Sequence, residues 1–273
     1  MNYILLLLSF LIANITLAQS TSTLMGARQL GMANASSVTA DEWSLWNNVG
    51  GIGKVKERAV AVAYEATPTL VGANRMALVA TNPFGFGTLA VGAFRFGDNV
   101  YSEQLISIGF GNQVGITALG AKANIVQYRA EGFGTRTALS FDFGGITQIT
   151  PLISIGAYIT NLTQSSFSGS DNYRLPTRLT VGLGLKPTEK IFIATELEKD
   201  LDFKPTWRTG IEYTALKNFF IRTGFNFNPQ NIYLGLGGKK KNIRFDYALR
   251  YHQLLGTSHQ ISAAYFLPSK IKK

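Results

Sequence analysis

The sequence predicts an all-β protein, a transmembrane antiparallel β-barrel of about fourteen strands with a short N-terminal helical plug inside the lumen. Three observations predict this fold class. From Arg58 onward apolar residues recur at every second position, which is the period of a strand with two different faces. The alternating segments are about as long as a tilted membrane span requires. Aromatic residues lie near the predicted strand ends, where membrane barrels carry their interfacial girdles.

The N-terminal residues, MNYILLLLSFLIANITLA, carry no charged side chain. The apolar run from Ile4 to Ala13 has the length of a signal-peptide core, and Thr16 and Ala18 are small enough for a cleavage site. An uncleaved anchor is the alternative, but a spanning helix needs about 20 apolar residues, and Asn14 and Thr16 interrupt this one. We therefore predict a signal peptide over 1–18, a lumenal plug segment over 19–57 and a barrel over 58–273.

The predicted plug segment contains one helical stretch, DEWSLWNNVGG, from Asp41 to Gly51. Thr39 and Glu42 fit a capping box at its start. A spacing of three residues places Trp43 and Trp46 on one helix face, and the two closing glycines predict its end. Because a barrel of about fourteen strands encloses more volume than its own side chains fill, we expect the segment to fold inside the barrel.

The strands follow in order, and NIRFDYALRY (242–251) shows the alternation most clearly. Within 86–96 the apolar residues change parity between Val91 and Phe94, which predicts either a β-bulge or a wrongly placed strand edge. A glycine and an asparagine at 111–112 predict a turn. The predicted strands are 58–66, 74–82, 86–96, 101–110, 113–126, 133–146, 150–159, 174–185, 190–199, 205–214, 218–227, 230–238, 242–251 and 257–267.

The direction of the apolar face separates two architectures. A soluble sandwich or barrel turns that face inward, whereas an outer-membrane barrel turns it toward lipid and keeps the polar face inside. Strand length favours the membrane barrel weakly, and the aromatic residues favour it more strongly. The aromatic residues near predicted strand ends are Tyr101, Phe110, Phe133, Tyr173, Trp207, Tyr213, Phe219, Phe227, Tyr251 and Tyr265.

The connections are expected to alternate between short periplasmic turns and longer external loops. The longest, Thr160 to Tyr173, falls on the external side. The formal net charge is +10, and many lysines fall at the predicted periplasmic rim. Two interpretations remain open, attraction to anionic inner-leaflet lipid, which we favour, and docking of an acidic periplasmic partner. These lysines are Lys54, Lys56, Lys186, Lys190, Lys217, Lys239, Lys240, Lys241, Lys270, Lys272 and Lys273.

No catalytic or metal-binding constellation is predicted, and no cofactor is expected. The chain has no cysteine and two histidines, which excludes thiolate chemistry and cysteine- or histidine-rich metal sites. His259 and Ser262 differ in strand parity and should face opposite sides of the wall. The acid pair Glu196 and Glu198 is interpreted as structural. Nucleic acid is not an expected partner in an exported protein.

Two N-terminal motifs carry a family resemblance, Gly26-Ala-Arg-Gln-Leu-Gly-Met32 and Ala40-Asp-Glu-Trp-Ser-Leu-Trp-Asn47. Together with the closing strand Ile261–Phe266, they resemble the FadL/PorV-type outer-membrane barrels. One departure is that the family's Asn-Pro-Ala-Gly is Asn47-Asn-Val-Gly50 in this chain. The resemblance implies a fourteen-stranded barrel with a lumenal N-terminal segment. It also implies either passive transport of hydrophobic compounds or a role as a subunit of protein export, as in type IX secretion.

The residues that are expected to line the lumen distinguish between these two roles. A lumen lined by charges, together with short external loops, favours a closed scaffold over an apolar path. We therefore predict a non-enzymatic accessory subunit of a protein export or outer-membrane assembly complex in a Gram-negative outer membrane. A FadL-like passive channel for hydrophobic small molecules is the alternative. The expected partners are outer-membrane lipid, a larger outer-membrane protein complex and, in the alternative, a hydrophobic small molecule.

The residues expected to carry the function fall into two groups. The plug residues are predicted to anchor the segment against the wall, with Arg28 paired to a lumenal acid, and the lumen residues are predicted to form a charge network. For the two tryptophans, we favour the interpretation that they merely fill the barrel. The plug group is Gly26, Arg28, Gly31, Met32, Asp41, Trp43, Trp46 and Asn47, and the lumen group is Arg136, Asp142, Glu196, Arg208, Glu212, Arg222, Arg244, Asp246 and Arg250.

Overall fold

The computed structural model describes residues 22–167 and 174–268, and the predicted signal peptide lies outside these residues. Fourteen antiparallel strands form a closed barrel in which sequence neighbours pair and the first strand pairs with the last, so the predicted fold class is confirmed. The strands are β1 (Arg58–Ala66), β2 (Arg75–Phe84), β3 (Gly87–Gly97), β4 (Tyr101–Val114), β5 (Thr117–Ala130), β6 (Gly134–Gln148), β7 (Ile153–Thr160), β8 (Arg178–Thr188), β9 (Ile191–Asp200), β10 (Thr206–Leu216), β11 (Phe219–Phe227), β12 (Asn231–Lys240), β13 (Ile243–His252) and β14 (Gly256–Leu267).

The two faces of each strand differ in the size and polarity of their side chains. In β1, Val60 and Val62 point outward and are 42% and 52% exposed, whereas Ala59 and Ala61 point inward and are buried. Large apolar side chains therefore cover the outer surface, as lipid requires. Small inward side chains leave space in the lumen, which a second part of the chain fills.

The two ends of the barrel differ in the length of their connections. At the end where β1 begins and β14 ends, called here the terminal end, the turns are 85–86, 115–116, 149–152, 189–190, 217–218 and 241–242. The opposite end, called the loop end, carries 67–74, 98–100, 131–133, 161–177, 201–205, 228–230 and 253–255. Short turns at one end and the longest connection at the other match the asymmetry of outer-membrane barrels.

Exposed aromatic residues form a band near each end. Near the terminal end, the rings of Phe84, Phe86 and Phe110 lie in series with centroid separations of 6.0 and 5.8 Å. Near the loop end, the rings of Trp207 and Phe227 stack at 5.6 Å. Such bands suit the two membrane–water interfaces. The predicted girdle residues within the described part of the chain are all exposed, and Tyr173 lies outside it.

Two details of the predicted strands are wrong. The paired registers of β3 are continuous on both sides, so the predicted bulge is absent. The parity change arises because Phe94 points inward, with its ring 5.9 Å from that of Trp46. The predicted turn at Gly111 and Asn112 is also wrong, because β4 continues to Val114.

The plug precedes β1 and contains three short helices, α1 (Ala27–Gly31) and two 3-10 helices (Glu42–Trp46 and Val49–Lys54). The predicted capping box uses different residues. The Asp41 carboxylate accepts from the Trp43 amide at 2.9 Å, while the Ser44 hydroxyl accepts from the Asp41 amide at 3.1 Å. Thr39 and Glu42 do not cap the helix. None of the helices in 22–167 and 174–268 has the length and apolar character needed to cross a membrane.

Candidate functional site

The plug fills the barrel, and its two sides meet two different kinds of wall. On the side formed by β8–β13, called the polar side, charged and polar side chains project inward. On the side formed by β1–β6, called the apolar side, alanine, valine and larger apolar side chains pack with the plug in one buried cluster, beside inward polar residues that include Glu65, Arg75 and Lys122. This asymmetry places a polar attachment and an apolar layer on opposite flanks of the same segment.

On the polar side, Arg28 of α1 is held by carboxylates from both the plug and the wall. Its guanidinium donates to both oxygens of Glu212 at 2.8 Å and to Asp41 at 3.0 Å. Glu212 also accepts from Arg222 at 2.6 Å, and Arg222 donates to Asp246 at 2.7 Å. Burial alone would lower the pKa of Arg28, but the charges of Glu212 and Asp41 raise it well above its usual value. Arg28 therefore stays charged. It binds β10 directly and is linked through Glu212 and Arg222 to β11 and β13.

A second attachment on the polar side uses plug backbone. The amides of Ser36 and Ser37 both donate to one carboxylate oxygen of Glu196, at 2.9 and 2.8 Å. The other oxygen of Glu196 accepts from Arg208 at 2.9 Å, and Arg208 also donates to Glu198 at 2.8 Å. Buried carboxylates that accept several hydrogen bonds remain charged at tolerable cost. The acid pair Glu196 and Glu198 thus holds a structural arginine.

The first 3-10 helix contributes an acid of its own. The Glu42 carboxylate accepts from Arg244 of β13 at 3.2 Å. Burial and then the neighbouring charge of Asp41 raise the pKa of Glu42 to about 7, although Arg244 opposes the shift. Near neutral pH a substantial fraction of this carboxyl is therefore protonated, whereas an exposed glutamate is ionised.

On the apolar side, Lys122 of β5 is a buried cation that contacts the plug. Its amine donates to the Leu45 carbonyl at 2.8 Å and pairs with Asp142 at 3.1 Å. The amine also lies 5.4 Å from the centre of the Trp46 ring, within the range of a cation–π contact. Trp46 itself donates through Nε1 to the Leu78 carbonyl at 3.2 Å. These contacts orient the ring against β2 and β3.

Two consecutive asparagines close the plug where the resembled family has a proline. The Asn47 amide donates to the Met25 and Trp43 carbonyls at 2.8 and 2.9 Å. The side-chain oxygen of Asn48, Oδ1, accepts from the Gly50 backbone amide at 2.9 Å. Its side-chain nitrogen, Nδ2, donates to the backbone carbonyl of Gly145 of β6 at 3.0 Å. Side-chain hydrogen bonds therefore fix the geometry of this stretch in the absence of proline.

Inward-facing glycines mark where the plug backbone touches the wall. A Cβ added to Gly31 would lie 3.0 Å from Cα of Gly235, and one added to Gly50 would lie 2.5 Å from Cα of Gly145. The misassigned Gly111 belongs to this set, because its Cβ would lie 2.5 Å from the Gly53 amide. Sequence analysis missed these wall residues. The signal was present as glycines at inward parity within strands.

The remaining predicted site residues take different positions. Gly26 has φ of 112°, and a Cβ there would lie 2.9 Å from Cγ of Trp43. Met32 and Trp43 are each 1% exposed. Arg250 donates to Glu65 at 3.2 Å, which also binds Arg75 at 3.0 Å. Arg136 is exposed near the loop end, whereas the other predicted lumen residues are buried or half-buried.

Two spaces border the apolar side. Inside, a cavity of about 80 Å³ has a mixed lining, in which Leu24 of the plug and Leu105 of β4 lie beside charged residues such as Lys122 and Asp142. Outside, a groove of about 550 Å³ crosses the lipid-facing wall and is lined mainly by aliphatic side chains, with Gly92 among them. A Cβ on Gly92 would lie 2.7 Å from Cζ2 of Trp46. Only the backbone of β3 therefore separates the groove from the Trp46 ring.

The barrel resembles solved hydrophobic-compound channels along nearly its whole length. "CymD monoaromatic hydrocarbon channel" is 14% identical and has a TM-score of 0.67, covering 92% of this chain and 100% of that one. The Pseudomonas putida toluene transporter TodX is 11% identical, with a TM-score of 0.65, covering 89% and 98%. A Pseudomonas aeruginosa FadL homologue is 11% identical, with a TM-score of 0.60, covering 90% and 99%.

The chain has the FadL/TodX-type fold. No family model and no curated protein matches the sequence. Within this fold, His259 and Ser262 face opposite sides of the wall, as their strand parity predicts. His259 contacts the Tyr247 hydroxyl at 2.7 Å, whereas Ser262 faces the lumen and accepts from the Ala27 amide at 3.2 Å. The described residues contain no cluster of three acids or histidines suited to a metal ion.

Proposed function

We propose that this barrel lies in the outer membrane of a Gram-negative bacterium and passes small hydrophobic molecules along its apolar side. The observation that carries the proposal is the continuity of one buried apolar cluster. It begins at Phe167 and Leu175 beneath the loop end, continues through Leu105 and Phe94, and reaches Trp46 in the plug. A membrane barrel filled only for stability has no need to concentrate its apolar lining on one flank.

The packing along this flank suits transient passage of small apolar solutes. The cavity of about 80 Å³ beside Leu105 interrupts the packing below the loop end. Gly92, which carries no side chain, lies between the Trp46 ring and the lipid-facing groove. The monoaromatic hydrocarbon channel CymD and the toluene transporter TodX, which have the same fold, support the same substrate class.

The test fills the cavity without adding charge. Leu105 is buried, and the next residue, Ile106, faces lipid and is 65% exposed. We expect Leu105→Trp to lose most uptake of labelled toluene by cells that carry the barrel, because the indole occupies the cavity. Ile106→Trp is the matched control and should keep the natural rate. Equal rates in both variants would contradict passage through this flank, provided that both barrels are folded and equally abundant.

An accessory role in protein export is the second candidate, and the polar side favours it. The chain of contacts from Arg28 through Glu212 and Arg222 to Asp246 fixes the plug in place. A fixed plug suits a scaffold whose partner binds elsewhere on the barrel. Co-purification of a much larger membrane protein with the detergent-solubilised barrel, without any toluene uptake by cells, would favour this candidate over the channel.

A further inference from the structure

A second cleft opens at the terminal end, between the plug and the wall. Its volume is about 840 Å³, within the range of about 300–1,000 Å³ typical of binding sites. The plug contributes Val38, Thr39 and Lys54, and β8 and the strands beside it contribute the opposite wall. The cleft is continuous with the aqueous space beyond the terminal end and lies inside the ring of strands.

The lining of this cleft contains four cations, of which Arg28 is paired with Glu212 and Asp41. Lys54, Lys186 and Lys190 line it, and none of the ion pairs among the described residues includes them. The Lys54 amine donates to the Gln148 side chain at 3.3 Å. Of the acids in the lining, Glu212 is occupied by Arg28 and Arg222, and Glu189 is exposed.

The positions of these lysines distinguish a soluble partner from lipid. Lys54 belongs to the plug, and the Lys186 amine lies 5.8 Å from the ring of Phe192, which packs against the plug. Lys186 is exposed at the barrel mouth and Lys54 is half-buried beside the plug, and both line the cleft rather than the outer wall. Burial, followed by repulsion from Lys186, lowers the pKa of Lys54. A bound carboxylate would relieve that repulsion.

We propose that this cleft binds a short acidic segment of a soluble periplasmic protein, with carboxylates on Lys54 and Lys186 and an apolar side chain between Val38 and Phe192. Charge complementarity supports the acidic character, and the apolar part of the lining supports the amphipathic one. The remaining lysines at this end, among them Lys217 and Lys241, are exposed in turns and accelerate the encounter. This inference goes beyond passage of hydrophobic molecules and does not depend on it.

The test uses the complete barrel in zwitterionic detergent and a labelled peptide of alternating glutamate and leucine, followed by fluorescence anisotropy. Removing two partly solvated charge pairs should weaken binding about tenfold, so we expect this loss in Lys54→Gln/Lys186→Gln. The matched control, Lys217→Gln/Lys241→Gln, removes the same charge outside the cleft and should change the affinity less than about twofold. Lys54→Arg/Lys186→Arg should retain binding.

Two outcomes would overturn the proposal. Equal weakening in the cleft and control variants would show that the peptide senses only the diffuse charge of this end. The second outcome is absence of peptide binding, together with binding of the barrel to phosphatidylglycerol vesicles that is lost in Lys217→Gln/Lys241→Gln. That result would assign the lysines at this end to lipid headgroups. Toluene uptake by the cleft variant is measured in parallel, so that failure of this inference is distinguishable from failure of the channel proposal.

Discussion

Glu212 is the residue on which the plug and the wall depend together. It neutralises Arg28 from the plug and Arg222 from the wall, and all three side chains lie inside the barrel. Removing Glu212 leaves Arg28 with Asp41 and Arg222 with Asp246 as their remaining carboxylates, so two guanidiniums inside the barrel lose part of their compensation at once. Breaking a buried ion pair costs about 3–5 kcal/mol, mainly because of the charge that is left under-compensated.

Glu212→Gln should therefore lower the free energy of unfolding in detergent by about 3–5 kcal/mol. Adding Arg28→Gln to that variant should recover part of the loss, because one stranded guanidinium is removed as well. Denaturant titrations of the four proteins in this cycle measure the coupling. Glu131→Gln, at an exposed loop position, is the control and should change stability by less than about 0.5 kcal/mol. Additive effects at Arg28 and Glu212 would contradict the ion-pair interpretation.

Trp46 supplies the corresponding prediction for the apolar side. Its side chain is 1% exposed and packs on Phe94 under the wall. Trp46→Ala should cost about 3–5 kcal/mol, because a cavity replaces the ring. Trp207 is a control on the lipid-facing surface, 47% exposed, and Trp207→Ala should cost less than half as much. The midpoints of denaturant unfolding decide between this result and equal losses.

At the scale of elements, the period of the strands was predictable and the contacts of the plug were not. Alternation is a local property, so the positions of most strands follow from it. Phe94 and Gly111 broke the local pattern because each faces the plug, one as a packing partner and one as a point of close approach. The sequence motifs placed Arg28 and Trp46 in the plug. Their partners Glu212 and Leu78 lie far along the chain, and no local signal links them.

Docking of the second 3-10 helix depends on glycine at its contact with β6. A Cβ on Gly50 would lie 2.5 Å from Cα of Gly145, so Gly50→Ala must move the plug. We expect a loss of about 1–3 kcal/mol, together with faster hydrogen exchange in the plug while the strands remain protected. Gly85→Ala is the control, because nothing lies within 4 Å of its added Cβ. Unchanged exchange in Gly50→Ala would contradict tight docking of this helix.

The first 3-10 helix should make plug stability depend on pH through Glu42. Burial and Asp41 raise its pKa from 4.5 to about 7, so the folded state binds this proton more tightly than the unfolded chain. The stabilising contribution is complete below pH 4.5 and is lost as the pH rises toward 7. We expect the free energy of unfolding of the natural chain, relative to Glu42→Gln, to fall across that interval. Parallel pH profiles for the two proteins would show that Glu42 keeps an ordinary pKa.

At the scale of the whole molecule, the plug is attached differently on the two flanks. The polar side holds the plug through Glu196, Glu212 and Arg244, whereas the apolar side combines one large apolar cluster with single polar contacts such as that of Lys122 with the Leu45 carbonyl. The sequence predicts a closed scaffold from the charges that line the lumen. In the structure, buried charges lie on both flanks, but the carboxylates that bind the plug arginine and the plug amides are on β9 and β10, and the largest apolar cluster is mainly on β1–β6. Inward parity reveals the number of charged residues but not this distribution, and the apolar cluster is the basis of the proposed channel.

If the solute passes along β1–β6, pinning the plug to β14 should leave passage intact. Ala27 and Ser262 meet where the plug approaches β14, with the Ala27 amide 3.2 Å from the Ser262 hydroxyl. The natural chain has no cysteine, so Ala27→Cys/Ser262→Cys introduces a single possible cross-link whose formation is read from a mobility shift. We expect equal toluene uptake by oxidised and reduced cells, because the solute moves along β1–β6 beside a stationary plug. Uptake that falls on oxidation and returns on reduction would show instead that the plug must move during passage.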